Sequence, residues 1–160
     1  MANASTRYGF KCIGNLASSD PPQMWEGKMT ATTAIAVGDA IDHTSGRVVL
    51  GLATSDQLLG VAAQAIAVTN AADDPILFYP ALPWYLFSGQ CSGAYLASTD
   101  RYVACDITGG TGAMMVDATT NAKELITIVG EDSNDTIDAD YTMVYFTILR
   151  SRIFQVLANA

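Results

Sequence analysis

From Ala34 onward the sequence alternates between short apolar runs and clusters of turn-forming residues. Runs such as "RVVLGLA", "ELITIVG" and "TMVYFTIL" are rich in Val, Ile, Phe and Tyr, and many of them place apolar side chains at alternate positions. A period of two puts successive side chains on opposite faces of a strand, whereas an amphipathic helix needs a period of 3.6 residues. The pattern therefore predicts many short strands joined by tight turns.

The charged residues favour the same fold class. The chain has 160 residues, with 13 Asp but only three Glu and three Lys, against 24 Ala and 16 Thr. Exposed helices use mainly Glu, Lys, Gln and Arg, while Thr, Val, Ile, Gly and Asp suit strands and turns. We predict a mainly β protein, a compact sandwich or small barrel of about 8–10 short strands. At most one short helix is expected, near "ATTNAKEL", where Asp117 or Thr119 could cap it.

Residues 1–34 differ from the rest of the chain because they are polar and show no sustained period. Single apolar residues such as Tyr8, Phe10 and Trp25 interrupt this segment. The pattern is typical of an extended arm that needs another surface to fix it, either its own domain or a neighbour. A loop packed on its own core is the alternative. We predict an extended N-terminal arm over 1–34 and a single β domain over 35–160, since this length suits one domain.

The net charge of −8 restricts the partners. Phosphate contacts need clustered basic residues, and only Arg150 and Arg152 lie close together, so we predict no binding to nucleic acid. Attachment to an anionic membrane is disfavoured for the same reason. The run from 75 to 99 has no charge, but Pro and Gly interrupt it, and its strongly apolar part is too short to span a bilayer. The sequence predicts a protein that does not bind membranes.

The three cysteines, Cys12, Cys91 and Cys105, are too few and too irregularly spaced for a disulfide framework or a cysteine-rich zinc site. The opening residues "MANASTRYGFK" contain no apolar stretch of the kind that signal peptides need. We expect buried or half-buried thiols in a protein made in a reducing cytoplasm.

The stretch "VGDAIDHTSG" contains the only histidine, with two aspartates nearby. In a strand, Asp39 and His43 would share one face and Asp42 would point to the other, so the three groups would not converge. Asp42 and Ser45 can instead bond the local backbone, and Gly46 can supply the positive φ of a turn. We predict a turn with His43 at an exposed tip and no metal. A metal or catalytic role is the alternative.

Two further motifs are candidates for a binding site. The acidic segment 131–140 lacks the central Gly and closing Glu of an EF-hand, so a solvated hairpin loop is favoured over a cation site. The sequence "GGTG" at 109–112 is followed neither by the Lys of a phosphate-binding loop nor by a helix pattern. No G-x-S-x-G motif is present either. We predict no enzyme activity, no cofactor and no metal.

The segment "ILFYPALPWYLF", residues 76–87, concentrates the aromatic residues. A strand that is apolar at nearly every position is buried on both faces. The second face could be covered by a neighbouring subunit or by internal core. Trp84 and Tyr85 are accordingly candidates for contact with a partner.

The order of these segments resembles a known family. The phrases that carry the resemblance are "YGF-x-C", "VGDAI…SGRVVL", "LLGVAAQA", "ADDPILFYPALPWYLFSG" and "MVYFTILRSRIFQV". Together they resemble the small head decoration (cement) proteins of tailed bacteriophages over most of residues 8–157. The fold implied by the resemblance is a compact β domain described as a β-tulip. The run 79–86 is more aromatic and proline-rich than the family pattern, which leaves its contacts open.

The resemblance implies a structural role. Such proteins bind the outer surface of the capsid and bridge neighbouring major capsid protein subunits against the pressure of packaged DNA. The expected partners are the major capsid protein and the chain itself, as a homotrimer or a dimer, and the expected location is the virion's outer capsid surface. The residues proposed to contact partners are Tyr8, Phe10, Trp25, Trp84, Tyr85, Arg150 and Arg152. The alternatives are another small β-rich virion subunit of a tail or fibre and, less favoured, a small β-barrel binding module or enzyme.

Overall fold

The alternating pattern of the sequence corresponds to strands throughout the chain. The computed structural model describes residue 3 and residues 8–153, and eleven strands and one short helix lie within them. The strands are β1 (Lys11–Asn15), β2 (Trp25–Lys28), β3 (Ala40–Thr44), β4 (Arg47–Leu50), β5 (Gly60–Ala62), β6 (Pro75–Pro80), β7 (Tyr85–Gln90), β8 (Ala104–Thr108), β9 (Met115–Asp117), β10 (Ile126–Glu131) and β11 (Met143–Ile148). The helix, α1, is Ala97–Asp100. The prediction of a mainly β fold is confirmed.

The strands form two antiparallel sheets. The six-stranded sheet has the order β1-β7-β11-β10-β8-β9, and the five-stranded sheet has the order β2-β6-β5-β3-β4. Both sheets curl. An isolated parallel bridge joins Cys91 to Val116 in the first sheet, and another joins Met29 to Val48 in the second. Because these contacts are single bridges rather than continuous ladders between edge strands, the fold is a curled sandwich and not a closed barrel.

The main core lies between the sheets and is organised by aromatic rings. Phe146, on β11, meets Phe10 edge-on, with ring centroids 5.0 Å apart. It also stacks on Phe87, at 5.9 Å. The alternating burial of β11 places Val144, Phe146 and Ile148 in this core. Fully burying such a side chain contributes about 1.5–3 kcal/mol, so the alternation recognised in the sequence carries much of the packing energy.

A second, smaller core lies on the other face of the five-stranded sheet. Its buried residues are Met29, Ile35, Ile41, Val48, Ala62, Ile76 and Phe78. Segments of the same chain cover it, and two of them are tied together where Ile35 and Ile66 exchange backbone hydrogen bonds of 3.0 and 2.8 Å. The two strands of the aromatic segment contribute to different cores: Phe78 of β6 packs into the second core and Phe87 of β7 into the first, whereas Leu77 and Trp84 are exposed.

The N-terminal segment contributes an edge strand to each sheet. β1 pairs with β7 and β2 pairs with β6. A bulge interrupts β1 between Cys12 and Gly14. Of the predicted arm over 1–34, residues 1–2 and 4–7 lie outside the described residues. The Asn3 side chain donates to the Thr136 carbonyl and accepts from the Thr136 amide, both at 3.0 Å. From residue 8 onward the segment thus lies against its own domain.

The predicted helix near residues 118–125 is wrong. The Asp117 carboxylate does accept from the backbone of Thr119, at 3.2 Å, but it closes a turn. The chain then turns back so that the Lys123 amide donates to the buried Asp106 carboxylate at 3.0 Å. Since this long-range contact fixes the segment as turns, the local capping signal is overridden.

Candidate contact surface

The two edge strands come together with the loop before β7 to form a surface that we call the N-terminal edge. The Leu16 amide donates to the Trp84 carbonyl at 2.7 Å, and the Gln23 amide donates to the Tyr85 hydroxyl at 2.8 Å. Five large apolar side chains on this surface are exposed, namely those of Ile13, Leu16, Met24, Trp25 and Trp84. Exposed apolar groups gathered at one place are typical of a contact surface.

A small groove lies within the N-terminal edge. Its volume is about 240 Å³, and it opens between the start of β1 and strands β5 and β6. Cys12, Met24, Val37 and Tyr79 are among its lining residues, and Lys11 stands at its side as the one charged lining residue. The groove has room for a partner's apolar side chain but is below the usual range of small-molecule sites, about 300–1,000 Å³.

The predicted aromatic contact residues divide into two groups. Tyr8, Trp25 and Trp84 are exposed. Phe10 and Tyr85 are only 5% and 4% exposed because they pack into the main core. These two aromatic residues are internal in the folded chain, and we leave them out of the contact surface.

Arg150 and Arg152 are held by carboxylates of their own chain. The Arg152 guanidinium contacts Asp42 through two bonds of 2.8 and 3.3 Å, while Arg150 contacts Glu124 at 2.9 Å. The backbone at Arg152 also donates to the Leu58 carbonyl at 2.9 Å. Arg152 thus fastens the end of the described chain to β3, and its charge is already neutralised.

The basic residues are unevenly available to a partner. Among residues 8–153, five of them form ion pairs, namely Arg47, Arg101, Lys123, Arg150 and Arg152. In the same part of the chain, Lys11 and Lys28 have no carboxylate within ion-pair distance. Both lie on the edge strands β1 and β2. Among residues 8–153, the basic side chains without an ion pair therefore lie on the N-terminal edge.

Burial suppresses the reactivity of the thiols. Desolvation raises the pKa of Cys12, beside the groove, to about 11, although a backbone hydrogen bond from Gly14 opposes it. The same effect raises the pKa of Cys105 to about 12 and that of Cys91 still further. Since the thiolate is the reactive form, none of the three is poised as a nucleophile.

The groups around the histidine do not converge. Asp39 is buried, and its two oxygens each accept a backbone amide at 2.8 Å, from Ala36 and from Gly112. Burial raises the pKa of Asp39. Asp42 faces Arg152 instead. His43 belongs to β3 opposite Val48 and is half-buried, with Nδ1 shielded, so its predicted position at an exposed tip is wrong.

The turn follows directly after the end of β3 at Thr44. Ser45 and Gly46 have φ of 51° and 78° and join β3 to β4 as a two-residue hairpin. The predicted positive φ of Gly46 is confirmed. Two positive φ values are the hallmark of a type I′ turn, which matches the twist of the flanking strands.

The acidic loop uses its carboxylates to hold its own shape. Asp132, Asp135 and Asp138 accept backbone amides from Asn134, Met143 and Ala97 at 3.0, 2.7 and 2.6 Å, respectively. Across residue 3 and residues 8–153, no three His, Cys, Asp or Glu side chains are grouped so that they could hold a metal ion.

Comparison with known proteins gives no relative. No protein-family model matches the chain, and no curated protein matches it significantly. In the described part of the chain, the structure has no helix of sufficient length and apolarity to cross a bilayer.

A second exposed surface was not predicted from the sequence. Tyr102, directly after α1, is 72% exposed, and Leu96 and Val103 beside it are also exposed. In the sequence these residues are indistinguishable from the apolar positions of a strand. Only the turn at the end of α1, which orients Tyr102 outward, reveals them.

Proposed function

We propose that this chain is a structural virion protein that binds the outer surface of a phage capsid and bridges neighbouring major capsid protein subunits. The observation that supports the proposal best is the N-terminal edge, where Ile13, Leu16, Met24, Trp25 and Trp84 are exposed on or beside the edge strands of both sheets. The motif order that resembles head decoration proteins supports it independently. In this proposal the protein has no catalytic role.

The physical properties of the N-terminal edge suit such binding. Tryptophan side chains are frequent among the residues that contribute most to protein–protein affinity. An edge strand also offers backbone groups to which an extended segment of a partner can bond. The bulge in β1 and the charge of Lys11 protect this edge from indiscriminate pairing, because natural edge strands use both devices against aggregation.

The acidic character agrees with a position outside the shell. A protein of net charge −8 is repelled by packaged DNA and by other nucleic acids, so it remains free to bind the capsid. Bridging neighbouring subunits increases the interface that internal pressure must break before the shell opens.

The decisive experiment locates the protein on particles. Particles purified from cells that produce this chain are imaged by cryo-electron microscopy, and we expect density for the two-sheet domain on the outer surface of the head. Density at the tail or fibres would support the alternative of a tail subunit. Absence from all particles would reject a virion role.

A binding assay tests the role of the N-terminal edge. Purified chain is added to particles assembled without it, and bound chain is measured after sedimentation. We expect Trp84→Ser and Leu16→Ser each to weaken binding at least tenfold, because each removes an exposed apolar contact. Val68→Ser, at an exposed valine far along the chain from this surface, is the matched control and should bind as the unmodified chain does.

A further inference from the structure

A protein that bridges two subunits needs two contact surfaces, and the structure offers a second one around α1. The acidic loop packs against this helix: Asp138 accepts the Ala97 amide at 2.6 Å, and Ala94 pairs with Asp140 in an isolated bridge. We call residues 96–103, which include α1, together with the loop 132–140 the α1 face. The loop is bonded to the first residue of the helix and to the segment just before it, so these segments are neighbours on the surface.

The centre of the α1 face is apolar. Four large side chains are exposed on it, namely those of Leu96, Tyr102, Val103 and Ile137. Tyr102 has the largest exposed fraction of any large apolar side chain in the described part of the chain. A group of this kind inside a polar rim has the composition of a protein–protein contact surface.

The backbone presents Tyr102 at a cost in conformational energy. Its φ is 64°, in the left-handed region that bulky side chains rarely adopt. Such strain persists only where the surroundings fix the conformation, and it is concentrated at functional positions. Within the described part of the chain, the Tyr102 ring takes part in no aromatic contact.

The surroundings do fix this conformation. The Tyr102 amide donates to the Ile128 carbonyl at 2.8 Å. The preceding residue, Arg101, bonds Glu131 through two nitrogens, and the buried Tyr95 hydroxyl donates to the same carboxylate at 2.8 Å. The backbone that carries the Tyr102 ring is therefore held rigid in the free protein. Binding a partner then costs little further conformational entropy.

The charge around the apolar centre defines the partner. Asp100, Asp132, Asp138 and Asp140 belong to the same segments, while Arg101 is neutralised by Glu131. A complementary partner must carry basic side chains around an apolar pocket, because like charges across an interface are strongly unfavourable. A second copy bound through its own α1 face is a poor candidate, since the aspartates of the two copies would face one another.

The α1 face is separate from the N-terminal edge. α1 and Arg101 pack on β10, and three strand spacings separate β10 from β1 in the order β1-β7-β11-β10. At the usual distance between strands this amounts to about 14 Å along the sheet. The two surfaces therefore lie on different strands of the six-stranded sheet.

We propose that the α1 face is a second docking surface, anchored by Tyr102, for a basic-rimmed apolar pocket on a subunit of a different protein. This inference rests on the proposed function, because it supplies the second contact that bridging requires. The first contact is made through the N-terminal edge and the second through the α1 face.

The test uses particles assembled without the chain, to which purified variants are added at several salt concentrations. Tyr102→Asn removes the ring but keeps a residue that tolerates the left-handed region. We expect its melting temperature to equal or exceed that of the unmodified chain, and its binding to fall at least tenfold. Val68→Asn, at an exposed valine outside both surfaces, is the matched control and should bind normally.

A second variant tests the charge. In Asp100→Asn combined with Asp138→Asn, the side-chain oxygens that accept the Leu96 and Ala97 amides are retained while two charges are removed. We expect weaker binding and a shallower dependence on salt, because screening no longer acts on these charges.

The outcomes separate the two proposals. If the unmodified chain fails to bind particles at all, the proposed function fails. If it binds and Tyr102→Asn binds equally well, the α1 face is not a docking surface. If the chain alone forms oligomers in analytical ultracentrifugation and Tyr102→Asn dissociates them, the occupant is a second copy, and the proposed partner is wrong.

Discussion

Gly27 shows how one residue permits the curl of a whole sheet. A Cβ at this position would lie 2.7 Å from Cγ2 of Val48 and 3.2 Å from a ring carbon of Phe78. The absent side chain lets β2 approach β4 closely enough for the bridge between Met29 and Val48. Here glycine is required by contact with neighbours rather than by an unusual φ.

Gly27→Val is therefore expected to destabilise the fold. Overpacking of this kind costs about 1–3 kcal/mol, since neighbouring side chains and backbone must move. Urea denaturation followed by circular dichroism measures the change. Gly14→Val is the matched control, because nothing lies within 4 Å of a Cβ there. Equal loss of stability in both variants would contradict the inference that the curl of the sheet requires glycine at position 27.

Cys12 gives a pH-dependent prediction at the same scale. Its pKa of about 11, against 9.0 for an unperturbed thiol, lowers the thiolate fraction about a hundredfold near neutral pH. We expect slow modification of Cys12 by a disulfide reagent, accelerating as pH rises toward 11. Cys91 and Cys105 should react only after unfolding. Rapid modification of all three thiols in the native protein would contradict this assignment.

Local residue patterns were informative only where the contacts are local. Ser45 and Gly46 form the predicted turn because its conformation depends on those two residues. The position of His43 was predicted wrongly because β3 continues to Thr44. Nor could the sequence show that Asp42 meets Arg152, 110 positions away.

Strands could be predicted from the sequence where buried side chains alternate along them. β11 reads as a strand in the sequence and alternates buried with half-buried residues along its whole length. The helix was not predictable in this way. α1 has no side-chain hydrogen bond at its N-cap, Leu96, whereas the capping signal at Asp117 belongs to a turn. Such a short helix is placed by tertiary contacts, not by its own propensity.

The anchoring of the segment after β11 yields a prediction about Arg152. Arg152→Ala leaves the Asp42 carboxylate, whose side chain is 9% exposed, without its partner. We expect a loss of about 2 kcal/mol in the free energy of unfolding, since an unpaired buried charge is costly. Denaturant titration measures the loss.

Two controls accompany this variant. Arg150→Ala breaks an exposed pair and should cost less than about 1 kcal/mol. Combining Arg152→Ala with Asp42→Asn should recover part of the stability, because the charge that lost its partner is removed. An additive double variant would mean that the two residues are not coupled.

At the scale of the molecule, the fold class followed from composition, and Trp25 and Trp84 of the N-terminal edge were named from the sequence, but the exposed group around Tyr102 was not. The shortage of Glu and Lys correctly indicated strands, since α1, with four residues, is the one exposed helix among the described residues. The surfaces depend on which turns expose Trp84 and Tyr102 and on which carboxylates neutralise the arginines. Those relations arise from the packing of distant segments, and no local pattern records them.

The strand order also has a consequence for synthesis. β11 lies between β7 and β10 in the six-stranded sheet, although it is the last strand in the chain. β1 and β7 emerge from the ribosome early. The ladder that runs across their whole sheet is incomplete until β11, residues 143–148, has followed. Non-local pairing of this kind is slow to form. Nascent chains shorter than this therefore lack β11, the strand that joins β7 to β10.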